Sequence, residues 1–257
     1  MTGQSRSENR KGKCLMAKYF DYMKKFGRPL NNHSLGPEMI IIKTKLDNIR
    51  TETILRPLSK TDYTGINGGF FAADSYDEPP TEGRSIAYNE FDEGDKVTYK
   101  GRTLPEIYEY NGTAKNQKSR KTAVLYEKKG TIKADYMYAR NLDDVKARYD
   151  NITNVIGGTS FAESDWSPLA YQLPTYRTIF AWDDTNAYLI AFTDPVTVPH
   201  AKQSIEFIGL DPKNAIVLDG SGSTSIQVYD DGNRKKNYCF YGEDRYLFNI
   251  VRVKKDY

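Results

Sequence analysis

The stretch "AIVLDGSGSTS", residues 215–225, is an apolar run that ends abruptly in residues with small side chains. A second stretch, "TGINGGFF" at residues 64–71, repeats this pattern with Asn67 and a glycine pair. Small residues at a strand end leave backbone N–H groups open to close approach by an anion. A carboxylate at the same place, here Asp219, can move a proton. The two stretches therefore predict strand ends that face each other across a small anionic ligand.

Familiar loop motifs do not account for residues 219–225. A Walker phosphate-binding loop needs Gly-Lys followed by Ser or Thr, whereas Gly222 is followed by Ser223. An EF-hand needs helices on both sides and a glycine at its sixth position, which is Thr224 here. A G-x-S-x-G nucleophile elbow does not fit either. A tight strand–loop–strand connection made of turn-forming residues stays open as the purely structural explanation.

The composition is that of an ordinary globular protein. The 257 residues carry a net charge of +3, with 39% hydrophobic and 28% charged residues. This charge calls for neither a nucleic acid duplex nor a membrane as partner. Two histidines exclude a His-rich metal site, and the two cysteines form no C-x-x-C motif. No cofactor or metal is predicted, although Asp219 and the nearby hydroxyls leave a divalent cation open.

The N-terminal region is expected to lie outside the main domain. Residues 1–14 are polar and basic, so we predict a disordered or tag-like segment. Residues 15–37 are predicted as a short helical lead-in, because apolar residues recur at helical spacing over 15–26. The chain shows no apolar signal-peptide core and no run of about 18 apolar residues, which predicts a cytoplasmic protein.

Strand patterns dominate the remaining residues, 38–257. A hairpin is predicted around Lys129-Gly130, and two strands around the turn at Asp183–Asn186. The apolar run 187–192, a helix that starts near Pro199 and the run at 215–220 then follow in strand–helix–strand order. We therefore predict an α+β fold, a single domain built on a large mixed β-sheet with a few packed helices.

Four motifs, taken in order, resemble those of the phosphodiester glycosidase family of bacterial and phage proteins. They fall at Asn67–Phe71, Gly157–Gly158, Arg177–Thr178 and Leu218–Thr224, and the similarity spans about residues 38–253. Their order and spacing carry the resemblance, since each motif alone is weak. The departure is Ser221, where the family usually has glycine, and it leaves the fold prediction intact while opening the question of the exact substrate.

The resemblance implies a hydrolase that cleaves the glycosidic bond of a sugar-1-phosphodiester and releases the sugar from the phosphate. A departing phosphate needs charge stabilisation more than general-acid help. Arg177 is therefore predicted to bind the phosphate, and Asp219 to act as acid/base or to stabilise the sugar cation. Asn67 is predicted to hold a sugar hydroxyl or orient water. From the residues alone, a surface ion pair for Arg177 and turn roles for Asp219 and Asn67 stay open.

The remaining site residues are predicted by the same reasoning. The expected substrate-binding set is Gly68, Gly69, Asp74, Gly158, Gly220, Ser221, Gly222, Ser223 and Thr224. Its glycines would bring backbone N–H groups to the ligand, and its hydroxyls would donate to phosphate oxygens. A second catalytic carboxylate would be Asp74, Glu163 or Asp165. Phe70, Phe71 and His200 are expected to be structural.

Two other functions stay open at this point. The chain is alternatively a binding module that holds an anionic glycan or nucleotide without turning it over, and Ser221 could mark such a change. It is alternatively a component of a phage particle that acts on cell-wall polymers. The sequence carries no signal for the oligomeric state.

Overall fold

Strands make up most of the molecule, because runs of β-branched and aromatic residues recur along the chain. The computed structural model describes residues 20–31, 35–230 and 234–254. The predicted disordered segment 1–14, the start of the predicted helix, and the residues Cys14 and His33 lie outside the described residues.

The elements follow one another along the chain as eighteen described strands and three α-helices. The strands are β1 (Phe20–Phe26), β2 (Glu38–Lys45), β3 (Ile49–Arg56), β4 (Gly65–Asn67), β5 (Phe71–Ala72), β6 (Glu82–Gly83), β7 (Ala87–Asn89), β8 (Lys96–Tyr99), β9 (Arg102–Pro105), β10 (Arg120–Lys128), β11 (Thr131–Ala139), β12 (Ile152–Gly157), β13 (Thr178–Trp182), β14 (Asn186–Phe192), β15 (Ala215–Val217), β16 (Ser225–Asp230), β17 (Lys235–Tyr241) and β18 (Leu247–Val253). The helices are α1 (Leu142–Lys146), α2 (Pro168–Gln172) and α3 (Val198–Phe207).

The strands form three main sheets instead of the predicted single large one. Their orders are β1-β2-β14-β13-β15, β11-β10-β12-β7 and β17-β16-β4-β18-β3, with β5-β6 and β8-β9 as separate pairs. Within the described residues every hydrogen-bonded strand pair is antiparallel, so the prediction of a mixed sheet is also wrong. The molecule is mostly β with few helices, and α+β describes it only roughly.

The helical crossover explains the wrong sheet prediction. Helix α3 connects β14 to β15 as expected, but β13 lies between these two strands. Both neighbours run antiparallel to β13, so β14 and β15 are parallel to each other without being hydrogen-bonded. The strand–helix–strand order was therefore correct, whereas the direct parallel pairing that it suggested does not occur.

The predicted helix over residues 15–26 is wrong in its described part, which is strand β1. This strand pairs with β2 over its whole length, from Phe20 opposite Thr44 to Phe26 opposite Glu38. Phe20 and Tyr22 pack against the main core. A short isolated helix is marginal in water, so pairing with the edge of β2 outweighs the helical spacing of the apolar residues.

Several local predictions are confirmed. Strands β10 and β11 form the hairpin, and its turn residues Lys129 and Gly130 have positive φ angles of 54° and 73°. Strands β13 and β14 meet at the turn Asp183–Asn186, which the Asp183 N–H closes by donating to the Asn186 carbonyl at 2.9 Å. Helix α3 begins where Thr197 accepts a hydrogen bond from the His200 N–H.

The core lies between the sheets and beneath α3. Ile40 and Ile42 of β2 pack in a cluster that also contains residues of β4, β10, β13 and β18. Met39 and Ile41 face the other side, where they pack under the apolar face of α3. Because β2 is buried on both faces, its residues 39–42 are all apolar. Burial of each such isoleucine stabilises the fold by roughly 1.5–3 kcal/mol. This packing holds in place the strands whose ends carry the predicted site.

Candidate functional site

Asn67 joins the two glycine-rich stretches. Its side-chain Nδ2 donates to the Asp219 carbonyl at 2.8 Å and to the Gly68 carbonyl at 3.2 Å. Its Oδ1 accepts from the Thr178 hydroxyl at 2.6 Å and from the Ser225 N–H at 3.0 Å. An amide side chain offers two donors and two acceptor positions, so all four are used. The two strand ends meet, as predicted, but in direct contact and not across a ligand. Asn67 positions Asp219 through contacts with protein atoms, and its predicted role toward a sugar hydroxyl or water stays a prediction.

Asp219 lies just past the end of β15, where the chain turns into a short 3₁₀ helix at Ser221–Ser223. Its Oδ1 accepts from the Gly220 N–H at 3.0 Å. Burial raises the pKa of Asp219 to about 6, while the Ser223 hydroxyl, the Gly220 N–H and Arg245 act in the opposite direction. A carboxyl group with such a pKa exchanges protons readily near neutral pH.

Three buried polar atoms beside Asp219 have no hydrogen-bond partner among the described residues: Ser223 Oγ, Thr224 Oγ1 and Asn249 Oδ1. The Ser223 hydroxyl approaches the Asp219 carboxylate closely enough to influence its pKa without reaching hydrogen-bond geometry. An unpaired buried polar atom costs roughly 1–3 kcal/mol. Three of them at one place indicate a site that a polar ligand or water would complete.

The sheet register places Thr224 and Asn249 on either side of Gly68. In the third sheet, β4 runs between β16 and β18, with Ile66 opposite Ile226 and Asn67 opposite Ile250. One step further along each strand, Gly68 comes between Thr224 and Asn249. A Cβ on Gly68 would lie 2.1 Å from Asn249 Oδ1. Glycine at this position therefore leaves the space that the asparagine side chain occupies.

A loop that sequence analysis did not select closes over this site. The Gly242 N–H donates to the Thr224 carbonyl at 2.8 Å, and the Glu243 N–H donates to the Gly222 carbonyl at 2.9 Å. Arg245 then lies against Gly222, since a Cβ there would be 2.4 Å from Arg245 Nε. The loop thereby adds one cation and one carboxylate to the surroundings of Asp219.

Arg245 is the cation of the site. Its Nε and Nη2 donate to Glu243 Oε2 at 2.8 and 2.6 Å, and its guanidinium lies 3.7 Å from the centre of the Tyr76 ring. Its charge lowers the pKa of Asp219. The Glu243 side chain is 60% exposed, whereas that of Arg245 is 16% exposed. Glu243 occupies the edge formed by Nε and Nη2, so a phosphate would bind at the remaining N–H groups of the guanidinium. The charged run after Gly242 was its only signal in the sequence.

Arg177, the predicted phosphate ligand, is engaged elsewhere. Its Nη2 donates to the carbonyls of Ala170 and Leu173 at 2.8 and 3.0 Å, and its Nε donates to the Val196 carbonyl at 3.3 Å. Burial lowers its pKa to about 10. Ala170 belongs to α2 and Leu173 caps its C-terminus, so both carbonyls lie at the negative end of that helix, which a cation stabilises. These contacts give Arg177 a part in holding α2, and its phosphate role stays a prediction.

The predicted glycines are packed against neighbouring chain segments. A Cβ on Gly69 would lie 2.4 Å from the Ser85 Cβ, and one on Gly158 would lie 2.7 Å from the Val217 carbonyl oxygen. A Cβ on Gly220 would lie 2.9 Å from the Tyr176 carbonyl oxygen. Close packing therefore explains these glycines without a ligand.

Many of the backbone donors expected to face an anion are already used. The Gly68 N–H donates to the Asn249 carbonyl at 2.9 Å, and the Ser221 N–H donates to the Tyr176 carbonyl at 2.8 Å. Ser221 is exposed and has a φ of 58°, a backbone conformation that glycine adopts more easily. The serine therefore carries some backbone strain, and its side chain lies outside the cluster of unpaired atoms.

The three predicted second carboxylates have different surroundings. Asp74 and Glu163 are exposed. Asp165 accepts from the Ser160 hydroxyl at 2.6 Å and from the Tyr138 hydroxyl at 3.1 Å. Glu243, which sequence analysis did not select, is the carboxylate that the closing loop brings against Gly222.

The residues expected to be structural have structural contacts. His200 shares a hydrogen bond of 2.7 Å between its Nε2 and the Arg28 carbonyl. Phe70 and Phe71 are both half-buried; Arg120 lies over the Phe70 ring, and Phe71 packs beside a small apolar cluster.

The described residues contain neither a metal-binding cluster nor a membrane-spanning helix. Over 20–31, 35–230 and 234–254, no three histidine, cysteine, aspartate or glutamate side chains are grouped so that they could hold a metal ion. In the same residues, no helix has the length and apolar character needed to cross a membrane.

The described fold is similar to that of a glycosidase domain. No family model and no curated protein matches this chain. Among solved structures, the catalytic domain of zebrafish N-acetylglucosamine-1-phosphodiester alpha-N-acetylglucosaminidase, auto-inhibited by its pro-peptide, aligns with a TM-score of 0.59 and 10% identity, over 93% of this chain and 85% of that one. At this identity the likeness shows the fold alone, which confirms the resemblance at that level.

A second solved structure aligns less well. It is a putative exported protein from Burkholderia pseudomallei, with a TM-score of 0.42 and 8% identity over 84% of this chain and 74% of that one. This likeness carries no argument about fold or function.

Proposed function

We propose that this chain hydrolyses the glycosidic bond of a sugar-1-phosphodiester at the site around Asp219. One observation carries the proposal: a half-buried carboxyl group with a pKa raised to about 6 lies near a cation, at a strand end where three buried polar side-chain atoms have no hydrogen-bond partner among the described residues. Unpaired polar atoms are costly in a purely structural loop, and a ligand rich in hydroxyl and phosphate oxygens would pair them. The fold likeness to a glycosidase that acts on an N-acetylglucosamine phosphodiester supports the same reaction class.

The proposed reaction divides the chemistry between two side chains. The bond between the anomeric carbon and the phosphate oxygen breaks, a bond to the oxygen of water forms, and the products are a free sugar and a phosphate monoester. Arg245 would balance the charge of the departing phosphate. Asp219, once ionised, would accept the proton that water loses or stabilise the positive charge on the sugar ring. Thr224, Ser223 and Asn249 would bind sugar or phosphate oxygens.

The test is turnover by matched variants. Wild-type protein, Asp219→Asn and the control Asp150→Asn, an exposed aspartate in the loop after α1, are incubated with a panel of sugar-1-phosphodiesters that includes nucleotide sugars. Free sugar is measured by mass spectrometry. We expect release by the wild type and the control, and a loss of at least about 10²-fold in Asp219→Asn. Equal release by all three proteins would remove Asp219 from the mechanism.

A binding module is the second candidate, favoured by the exposed positions of Asp74, Glu163 and Glu243. A two-carboxylate mechanism needs a second acid held in place. The same panel separates the two functions when binding is measured by calorimetry. Binding by the wild type without free sugar from any member would support the module, whereas binding that accompanies release would support the hydrolase.

A further inference from the structure

A groove lies near Arg245. It has a volume of about 570 Å³ and is formed by the loop residues Asp77–Pro79 and the β8–β9 turn at Lys100–Thr103. Tyr76, which precedes that loop, lies over the Arg245 guanidinium, and its carbonyl accepts from the Tyr246 N–H at 3.0 Å. Through Tyr76 and Tyr246 the groove thus adjoins Arg245, the proposed phosphate ligand.

Rings and cations alternate along this part of the surface. Lys100 Nζ donates to the Tyr246 hydroxyl and lies 5.0 Å from the centre of that ring. The Tyr246 and Tyr99 ring centres are 6.3 Å apart, and the Arg56 guanidinium lies 5.5 Å from the Tyr99 ring. Arg56 Nε is buried and has no hydrogen-bond partner among the described residues. Three rings, those of Tyr76, Tyr246 and Tyr99, therefore each have a cation beside them, namely Arg245, Lys100 and Arg56.

This alternation matches a chain of sugars joined by phosphates. Sugar rings pack on aromatic faces, and each phosphate between them pairs with an arginine or lysine. The carboxylates of Asp77 and Glu78 on the opposite rim can accept hydrogen bonds from sugar hydroxyls. The Tyr99 and Tyr246 rings are inclined at 52°, so they do not form the parallel slot that would clamp a flat base.

We propose that the groove binds the next phosphate-linked sugar on the leaving-group side, which makes the substrate a sugar-phosphate polymer. The proposal rests on the hydrolase function proposed above and names the substrate class of the same site. Lys100 would be a specificity-determining residue that contacts the second phosphate. It lies outside the group of residues that surround the bond to be broken.

Two hairpin turns of equal geometry provide a matched test. Lys100-Gly101 and Lys129-Gly130 both have positive φ angles, of 46° and 80° in the first turn and 54° and 73° in the second. Asparagine tolerates this conformation, so Lys100→Asn and Lys129→Asn each remove one charge while keeping the turn. The substrates are a methyl sugar-1-phosphodiester and a phosphate-linked trimer of the same sugar. The KM and kcat of both are measured for each protein.

We expect the trimer to have the lower KM in the wild type, and Lys100→Asn to raise that KM about fivefold or more while leaving the methyl diester unchanged. Lys129→Asn should change neither substrate. Equal KM values for the two substrates in the wild type, or an equal effect of Lys100→Asn on both, would overturn the proposal.

Binding to inactive protein separates this proposal from the hydrolase function. Trimer affinity is measured by calorimetry for Asp219→Asn and for Asp219→Asn combined with Lys100→Asn. If the wild type hydrolyses nothing but the trimer binds and the added Lys100→Asn weakens it, the groove stands and the hydrolase function fails. The affinity of a nucleoside diphosphate sugar is measured for the same two proteins. If the trimer does not bind, or if the added Lys100→Asn change weakens the binding of the nucleoside diphosphate sugar and not that of the trimer, the groove proposal fails.

Discussion

Asp219, which is half-buried, and Glu106, which is buried, are two carboxyl groups whose pKa is raised by loss of contact with water. The pKa of Asp219 is raised to about 6 and that of Glu106 to about 7, in both cases chiefly by burial. Taken alone, the shift would mark Glu106 as the stronger functional candidate. Their surroundings, however, differ in how completely the neighbouring polar atoms are paired.

Glu106 is tied into the protein by its neighbours. Its Oε1 accepts from the Thr53 N–H at 2.9 Å, and its carbonyl accepts from the Thr53 hydroxyl at 2.6 Å. Nearby, Asp92 accepts from Arg50 and from Asn89. This group of residues, which we call the Glu106 cluster, connects β3 to the segments around β7 and β9.

The unpaired atoms distinguish the two regions. In the Glu106 cluster, Arg50 Nε has no hydrogen bond, yet it still lies 4.0 Å from the Glu52 carboxylate. Near Asp219, the unpaired atoms are the hydroxyls of Ser223 and Thr224, which follow it in the same loop, and the amide oxygen of Asn249 beside Gly68. A raised pKa therefore indicates only that a group is buried. Polar groups without partners indicate where a ligand could bind.

The largest expected contrast is in turnover. Asp219→Asn should lower kcat/KM for a sugar-1-phosphodiester by about 10² to 10⁴, because it removes the ionisable group. Glu106→Gln should leave kcat/KM within about twofold, since a glutamine can still accept from the Thr53 N–H. Steady-state kinetics of the two variants test this. A loss in Glu106→Gln as large as that in Asp219→Asn would show that the comparison of unpaired atoms does not locate the reaction.

A smaller effect is expected at the cation. Arg245→Ala should raise KM by roughly 10-fold or more, because the charged hydrogen bonds to the phosphate are lost. Arg140→Ala is the control, since Arg140 forms an exposed pair with Asp144. Arg245→Lys should recover only part of the loss, as an ammonium does not reproduce the planar guanidinium. An unchanged KM in Arg245→Ala would place the phosphate elsewhere, with Arg177 as the next candidate.

Asp219 could be proposed from the sequence because its signal is local. Small residues that follow an apolar run mark a strand end, and the two such ends do meet, joined by the hydrogen bond from Asn67 to the Asp219 carbonyl. The order of the motifs also predicted the fold likeness. What the glycines do could not be deduced, since close packing and ligand approach require the same small residue.

Residues brought together by strand pairing could not be predicted. Asn249 and Arg245 follow Asp219 by 30 and 26 positions, and only the placement of β18 beside β4 brings Asn249 to Gly68. Arg177 was predicted as a phosphate ligand, but its burial could not be predicted, because it depends on contacts with α2 and Val196. Strand β1 was predicted as a helix because the sequence of β1 alone does not indicate that it pairs with β2.

A third contrast is in stability, between two threonines near the site. Thr178→Val removes the hydroxyl that donates to Asn67 Oδ1 at 2.6 Å and should cost about 2 kcal/mol in the free energy of unfolding. Thr224→Val removes a buried hydroxyl without a partner, so it should be neutral or stabilising. Urea denaturation of both variants measures the difference. A large loss of stability in Thr224→Val would mean that its hydroxyl is paired in solution, for example with bound water.

The smallest expected effect is on the pH dependence of stability. Asp219 and Glu106 should contribute to it with the same sign. Each has a folded pKa above its ordinary value, so the stability that it contributes is complete below the unfolded pKa and is lost as pH rises through the folded one. Glu106→Gln should therefore match the wild type near pH 4 and become more stable by about 1–2 kcal/mol above pH 7. Asp219→Asn should gain in the same direction, with the gain complete about one pH unit lower.

Urea denaturation between pH 4 and pH 8 follows both gains, with Asp150→Asn as the control that should show little change. The ionised form of Asp219 would then lower the free energy of unfolding, although the proposed reaction requires that ionised form. Glu106 would lower stability without any effect on turnover. If Asp219→Asn gained nothing between pH 4 and pH 6, its carboxyl group would not be desolvated, and the physical basis for its choice as the proton acceptor would be lost.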